Sequence, residues 1–339
     1  MRRFLAHGVL LLGVAVSSTV DLRAAKNLQI YFIDVEGGAA TLVVGPSSQS
    51  LLIDGGFRGF EDRDPDRIVA AMKAAGVKKL DYLLTTDYHR DHVGGVPHLA
   101  DRIKIGTFLD HGPNTEDTRN AKEDYADYVK TLKLGEHLVT KPGDTIPMRD
   151  VSIQVVSAAG QMIQAPVEGG GRSNAFCGAK LSAAEDTTEN AQAVGVLITF
   201  GRFRFLNLAD LAWQKEQELM CPNNLIGTVD LYLAARHGLN EPPTLLPALH
   251  PRVIVLNNGP RSPSIPEDWA RVKASPGLQD LWQLHFALEA GKDNTPDPFI
   301  ANVDEFCQGA FLRVTAEPDA SFTVFNTRNK FQKAYAASK

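Results

Sequence analysis

The sequence predicts an α/β protein, and its order of elements permits two packed β-sheets with helices outside. Two observations carry that reading. Runs with strand composition precede segments with helical periodicity in both halves of the chain, and one such run, 80–84, ends in a dense set of metal-binding side chains. A chain of 339 residues that is 44% hydrophobic and 22% charged can bury a large core. Length alone allows two domains, but no Pro/Gly linker divides the chain. It reads as one domain over 26–339, with an insertion at about 112–190 and a C-terminal extension after about 258.

Taken in order, residues 28–34 (LQIYFID) have strand composition, with 41–44 and 50–53 as hairpin partners. The second of these ends at Asp54-Gly55-Gly56, where glycine permits a sharp turn. A helix follows over 64–76: Asp64 is placed to cap it, Pro65 suits its first turn and Gly76 its end. The strand 80–84 then leads into the motif. A short helix over 96–103, a strand over 105–109 and an exposed helix near 119–133 come next, then a strand near 151–156. The Gly-rich stretch 169–171 lies in a long loop, either a lid or wall over the site, which is the favoured reading, or a disordered insertion. The second β-rich half has strands at 194–200, 203–208, 229–234 and 253–256, with a helix carrying Trp213 and Leu219 and another near 244–249. Leu281, Trp282 and Phe286 fit a helix packed on the core.

The motif reads Thr85-Thr86-Asp87-Tyr88-His89-Arg90-Asp91-His92-Val93-Gly94-Gly95. Four side chains able to bind a metal fall within six residues at the end of a strand. Nitrogen and carboxylate donors this close suit one or two borderline cations such as zinc.

This stretch resembles the signature of the metallo-β-lactamase superfamily, Thr-His-x-His-x-Asp-His followed by Gly-Gly, with Asp87 standing where the family has its first histidine. Residues 32–38 and 52–56 look like the family's opening strands. Asn207-Leu208-Ala209-Asp210 resembles the strand end whose aspartate bridges two metals, and Ala235-Arg236-His237-Gly238 the one that supplies the last histidine. The order is most similar to the subgroup related to the extracellular domain of the competence DNA-uptake protein and to choline-phosphate esterases. The resemblance implies an αββα sandwich of two mixed sheets with outer helices. It implies a first metal held by Asp87, His89 and one further group, and a second by Asp91, His92 and His237, with Asp210 between. Asn190 falls where that subgroup often has an asparagine, and Arg236 where it often has a further histidine.

The chemistry implied is hydrolysis of an ester or phosphodiester, small-molecule or polymeric, by a metal-held water that Asp91 orients and deprotonates to hydroxide. The alternatives are a non-catalytic metal- or ligand-binding protein on the same fold and a β-lactamase. A carboxylate at Asp87 makes the site harder than imidazole would, so manganese or iron join zinc as candidates. His111 follows a strand end on the motif's side of the sheet; it reads first as a turn histidine, with contact to substrate or support of a ligand as the alternative. His98, His137, His250 and His285 have no partner pattern and read as helix or loop residues.

Met1-Arg2-Arg3 followed by an apolar run to Val20 and small residues reads as a signal peptide over 1–25, hence a periplasmic or secreted protein. No other long apolar stretch exists, so the mature chain should carry no membrane span. The net charge of −5 gives no basic excess for nucleic-acid binding. Cys177, Cys221 and Cys307 are too widely spaced for a local zinc knuckle. One disulfide with a leftover thiol, in any of three pairings, or three buried thiols both fit.

Overall fold

The computed structural model of the protein describes residues 27–178, 184–239, 241–261 and 266–337; the segment read as a signal peptide lies outside them. Among the described residues two large sheets face each other. The first has nine strands, in the order Gln332–Tyr335, Phe322–Asn326, Leu312–Ala316, Leu28–Phe32, Thr41–Val44, Ser50–Ile53, Leu80–Leu84, Ile105–Asp110 and Glu136–Val139. Pairing is antiparallel as far as Ser50–Ile53 and parallel beyond it. The second has eight: Ile300–Asn302, Asp280–His285, Val253–Leu256, Leu231–Leu233, Phe203–Asn207, Gly195–Phe200, Ser152–Ala158 and Gln161–Met162. There the first five run parallel and the rest antiparallel. This is the αββα sandwich.

The sheets stay together because their facing sides are apolar. Phe32 meets Phe205 edge to face, with ring centroids 5.6 Å apart, and Trp282 lies in the same buried layer. The Trp282 Nε1 donates to the Tyr335 hydroxyl at 2.9 Å, joining a strand of one sheet to the last strand of the other. Helices cover the outer faces, so many strands are apolar on both sides. Arg63–Ala74 and Arg119–Thr131 pack on the first sheet, with Ile68, Met72 and Tyr128 buried beneath them. Trp213–Met220 and Leu246–Leu249 pack on the second.

Most expected elements are present, with informative exceptions. Asp64 lies inside its helix, where it accepts from the Phe57 amide at 2.8 Å, and the residue before the helix is Asp62. Residues 281–286 are not a helix: Asp280–His285 is a strand paired with Val253–Leu256. Its polar residues obscured the period because Gln283 is buried and satisfied by hydrogen bonds with Asn294 and the Thr295 amide. His285 is therefore a buried strand residue, and His137 sits in the edge strand Glu136–Val139 bonded to Asp110. Cys177 and Cys221 form the disulfide, leaving Cys307 as the free thiol. No described helix is long and apolar enough to cross a membrane.

The paired glycines after the motif allow its loop to lie against the turn at Gly55-Gly56. The Gly95 amide donates to the Gly56 carbonyl at 2.9 Å and the Gly55 amide to the His92 carbonyl at 2.8 Å. A Cβ at Gly95 would stand 2.1 Å from the Gly55 carbonyl oxygen. Gly95→Ala should therefore cost about 1–3 kcal/mol, read as a lowered denaturation midpoint; an unchanged midpoint would show that the two turns can separate freely.

Candidate metal centre

Every residue of the centre sits just past the C-terminal end of a strand, where both sheets deliver their chain ends to one edge. Leu80–Leu84 leads to the motif, Phe203–Asn207 to Asp210, and Leu231–Leu233 to Arg236 and His237. Two of these turns, and the one after Ser50–Ile53, force side-chain-bearing residues into left-handed backbone: Ala209 (φ 52°), the adjacent pair Arg236 (φ 47°) and His237 (φ 59°), and Asp54 (φ 62°). Such conformations cost on the order of 1–3 kcal/mol each and persist where surrounding structure holds them.

The structure brings together Asp91, His92, Asp210 and His237, with one candidate ligand atom from each lying within 4.8 Å of the others. The His92 Nε2 is 3.6 Å from Asp91 Oδ2 and 3.5 Å from Asp210 Oδ1. The His237 Nε2 is 3.3 Å from Asp91 Oδ2 and 3.5 Å from Asp210 Oδ2. Neither Nε2 has a hydrogen-bond partner, although both are buried. Donors held about 2.1 Å from a tetrahedral zinc lie roughly 3.4 Å apart, so these spacings match a shared cation better than direct hydrogen bonds.

The far side of each ring is already anchored. The His92 Nδ1 donates to Asp54 Oδ2 at 3.0 Å and lies 3.2 Å from the Thr86 hydroxyl, while the His237 Nδ1 bonds the Asn257 carbonyl at 3.2 Å. A ring proton fixed on Nδ1 leaves the Nε2 lone pair facing the cluster, the arrangement found around metal-ligating histidines. Asp54 also accepts from the Thr86 amide at 2.9 Å and hydroxyl at 2.8 Å. The residues present fit a divalent cation.

Without a cation the cluster is held by charge. Burial would lower the His237 imidazolium's pKa, but Asp210 and Asp91 outweigh it and push it up to about 10. Burial likewise works against the Asp210 carboxylate, and His237 and His92 reverse this, holding it well below the usual range.

The other predicted residues stand outside this group of four. Asp87 is fully buried; its Oδ1 accepts from the His89 amide at 2.8 Å, and its Oδ2, 3.6 Å from His92 Nδ1, has no hydrogen-bond partner. Burial, offset in part by His92 and His89, raises the Asp87 pKa to about 6. His89 has its Nδ1 3.5 Å from Asp87 and its Nε2 turned to Glu116 at 2.9 Å. His111 is buried against Glu189 at 2.9 Å and belongs to the supporting wall. Arg236 is buried and paired with Glu216 at 2.9 Å. Asn190 and Arg236 line, with His89, Asp186, Thr188 and Trp213, a cavity of about 520 Å³ beside the cluster. Residues of the 112–190 segment thus form part of its wall.

Sequence reasoning missed Asp54 as the His92 anchor, and Glu116 and Asn257. The only advance sign for Asp54 was its place before Gly55-Gly56. Glu116 and Asn257 carried none, because their contacts join segments far apart in sequence.

Residues 33–166 match the model described as the metallo-beta-lactamase superfamily. That stretch of the chain is similar to the superfamily's domain. No curated protein matches it. Similar solved structures include the metallo-beta-lactamase fold protein YhfI from Bacillus subtilis, at 11% identity and TM-score 0.45, covering 76% of this chain and 95% of that one. A metallo-beta-lactamase motif mutant from Cronobacter sakazakii shares 16% identity at TM-score 0.40, covering 62% and 77%. CmlA, a diiron beta-hydroxylase from Streptomyces venezuelae, shares 15% identity at TM-score 0.37, covering 68% of this chain and 44% of its own. The chain thus spans less than half the length of CmlA. Superfamily members are mostly metal-dependent hydrolases, and the Asp/His cluster is a candidate metal site.

The anchors should matter almost as much as the ligands. His92→Ala should lose bound metal outright, and Asp54→Asn should weaken affinity about 10–100-fold, both read by metal analysis after dialysis. Full metal content in both variants would remove His92 from the site. Because cation binding must displace the protons held by the imidazoliums, affinity should rise with pH and binding should release protons. Calorimetry in buffers of different ionisation enthalpy checks this, and buffer-independent heats would contradict it.

Proposed function

We propose that the protein is an exported metal-dependent hydrolase that cleaves an ester or a phosphodiester. The observation that carries this reading is the convergence of Asp91, His92, Asp210 and His237, with both imidazoles anchored at Nδ1 and unpartnered at Nε2. These four residues would hold one cation; Asp87 and His89, beside them, would hold a second once His89 leaves Glu116. Zinc suits the imidazole donors, and the extra carboxylate at Asp87 admits manganese or iron. When bound, the metal supplies an acidified water and polarises the scissile carbonyl or phosphoryl group.

The chain's own residues supply the rest. The Asp91 side chain is 23% exposed, whereas His92 is fully buried, so Asp91 is the carboxylate of the motif that meets solvent. It takes the proton of the attacking water. Burial would raise its pKa, but His92 and His237 reverse this and keep it ionised, as a base must be. Arg236, Asn190 and Trp213 in the adjacent cavity would orient a polar substrate. The order of strand ends supports the competence-protein and choline-phosphate-esterase subgroup. The Cys177–Cys221 disulfide, together with the basic and apolar N-terminus, supports export to an oxidising compartment such as the periplasm.

The test is metal analysis combined with chromogenic esters, phosphodiesters and cephalosporins. Turnover of an ester or phosphodiester should require metal, fall about 10²–10⁴-fold in Asp91→Asn, and vanish in His237→Ala but not in His250→Ala. A metal-loaded protein inert toward all three classes would support the binding-protein reading instead, and turnover of cephalosporins alone would make it a β-lactamase.

A further inference from the structure

A second set of donors meets away from the Asp/His cluster. Asp34, two residues beyond the strand Leu28–Phe32, His285, the last residue of Asp280–His285, and Cys307, in the loop before Leu312–Ala316, each place one ligand atom within 4.8 Å of the others. The Cys307 Sγ is 3.3 Å from Asp34 Oδ2. The other Asp34 oxygen accepts from the Glu36 amide at 2.9 Å, so Oδ2 is the one turned to Cys307, with the Arg67 Nη1 3.7 Å away. Asp34 is fully buried and His285 is 1% exposed.

The imidazole is the telling group. The His285 Nδ1 bonds the Phe286 carbonyl at 3.0 Å, while its buried Nε2 has no hydrogen-bond partner. An orphaned buried polar atom is costly unless a partner belongs there. With Nδ1 holding the ring proton, Nε2 offers a lone pair, the same anchoring seen for His92 and His237.

We propose that Asp34, His285 and Cys307 form a second metal site, for a borderline dication such as zinc. The donor set of one thiolate, one imidazole and one carboxylate matches zinc in kind. A thiolate and a carboxylate together offset the charge of a dication. The neighbouring ions are Arg67, whose Nη1 lies 3.7 Å from Asp34 Oδ2 and whose Nη2 lies 3.2 Å from the Cys307 Sγ and 2.7 Å from Glu36, and Arg63, paired with Glu36. Arg67 is itself fixed by the carbonyls of Asp34 and Cys307, both at 3.0 Å. Three protein donors leave one position free, and Cys307 lines a groove of about 920 Å³ from which solvent can fill it. Asp34 follows a strand of the nine-stranded sheet and His285 ends one of the eight-stranded sheet, so the cation would clip the two sheets and the C-terminal loop together.

Cobalt gives a clean test, because Cys307 is the one free thiol and the Asp91 cluster contains only nitrogen and oxygen donors. The full chain, stripped of metal with its disulfide intact, is titrated with cobalt(II). A thiolate-to-cobalt charge-transfer band should appear in the near ultraviolet, persist in His237→Ala and be lost in Cys307→Ser. It should need at least about tenfold more cobalt in His285→Ala. In the unmutated chain, zinc should also slow alkylation of Cys307 by iodoacetamide at least tenfold. Absence of the band at saturating cobalt, the same cobalt requirement in His285→Ala as in the parent, or alkylation indifferent to zinc would each overturn the site.

Discussion

The candidate centre depends on the contact between Asp54 and His92. Asp54 ends one strand and His92 follows the next, so the carboxylate is presented to the motif loop by sheet register alone. One side chain then satisfies the Thr86 amide, the Thr86 hydroxyl and the His92 Nδ1. All three partners are buried, which makes the contact strong and its loss costly. Because Nδ1 is engaged, the imidazole can only offer Nε2 to the cluster. The backbone bonds between Gly55 and His92 and between Gly95 and Gly56 hold the same two turns together from the main chain. The position of Asp91 follows, since it lies inside that locked loop.

Opposite this fixed half, the second sheet contributes Asp210 and His237 from turns in left-handed backbone. Arg236 stays there because Glu216 and the Leu239 carbonyl hold its guanidinium. The two halves of the cluster thus come from different sheets and meet only because the apolar layer around Phe32, Phe205 and Trp282 fixes the distance between them. Packing in the core and geometry at the metal centre are one constraint seen from two places.

What the sequence could reveal follows from this. The motif was legible because its residues are consecutive, whereas Asp210 and His237 were singled out by the family resemblance of the strand ends that carry them. The rotamer of His89, turned to Glu116, was not legible, since the two lie on separate segments joined only by folding. The strand Asp280–His285 was misread because a buried glutamine inside it breaks the two-residue period, and its satisfaction by Asn294 is a tertiary fact. For the same reason His285 looked like an isolated histidine: Asp34 and Cys307 approach it from opposite ends of the chain. The order of the cysteines left the pairing open, and the fold brings Cys177 to Cys221 while the C-terminal loop carries Cys307 elsewhere.

The pairing of Leu28–Phe32 with Leu312–Ala316 bears on how the molecule is assembled in time. The first strand leaves the ribosome with one neighbour, Thr41–Val44, close behind it, but its other edge stays open until almost the whole chain has been made. An unpaired strand edge is a template for any other extended chain. Contacts of such large sequence separation also form slowly, because a long loop must close before they are rewarded. The nascent chain therefore spends most of its synthesis with that strand edge unpaired, a period in which open edges are prone to wrong pairing.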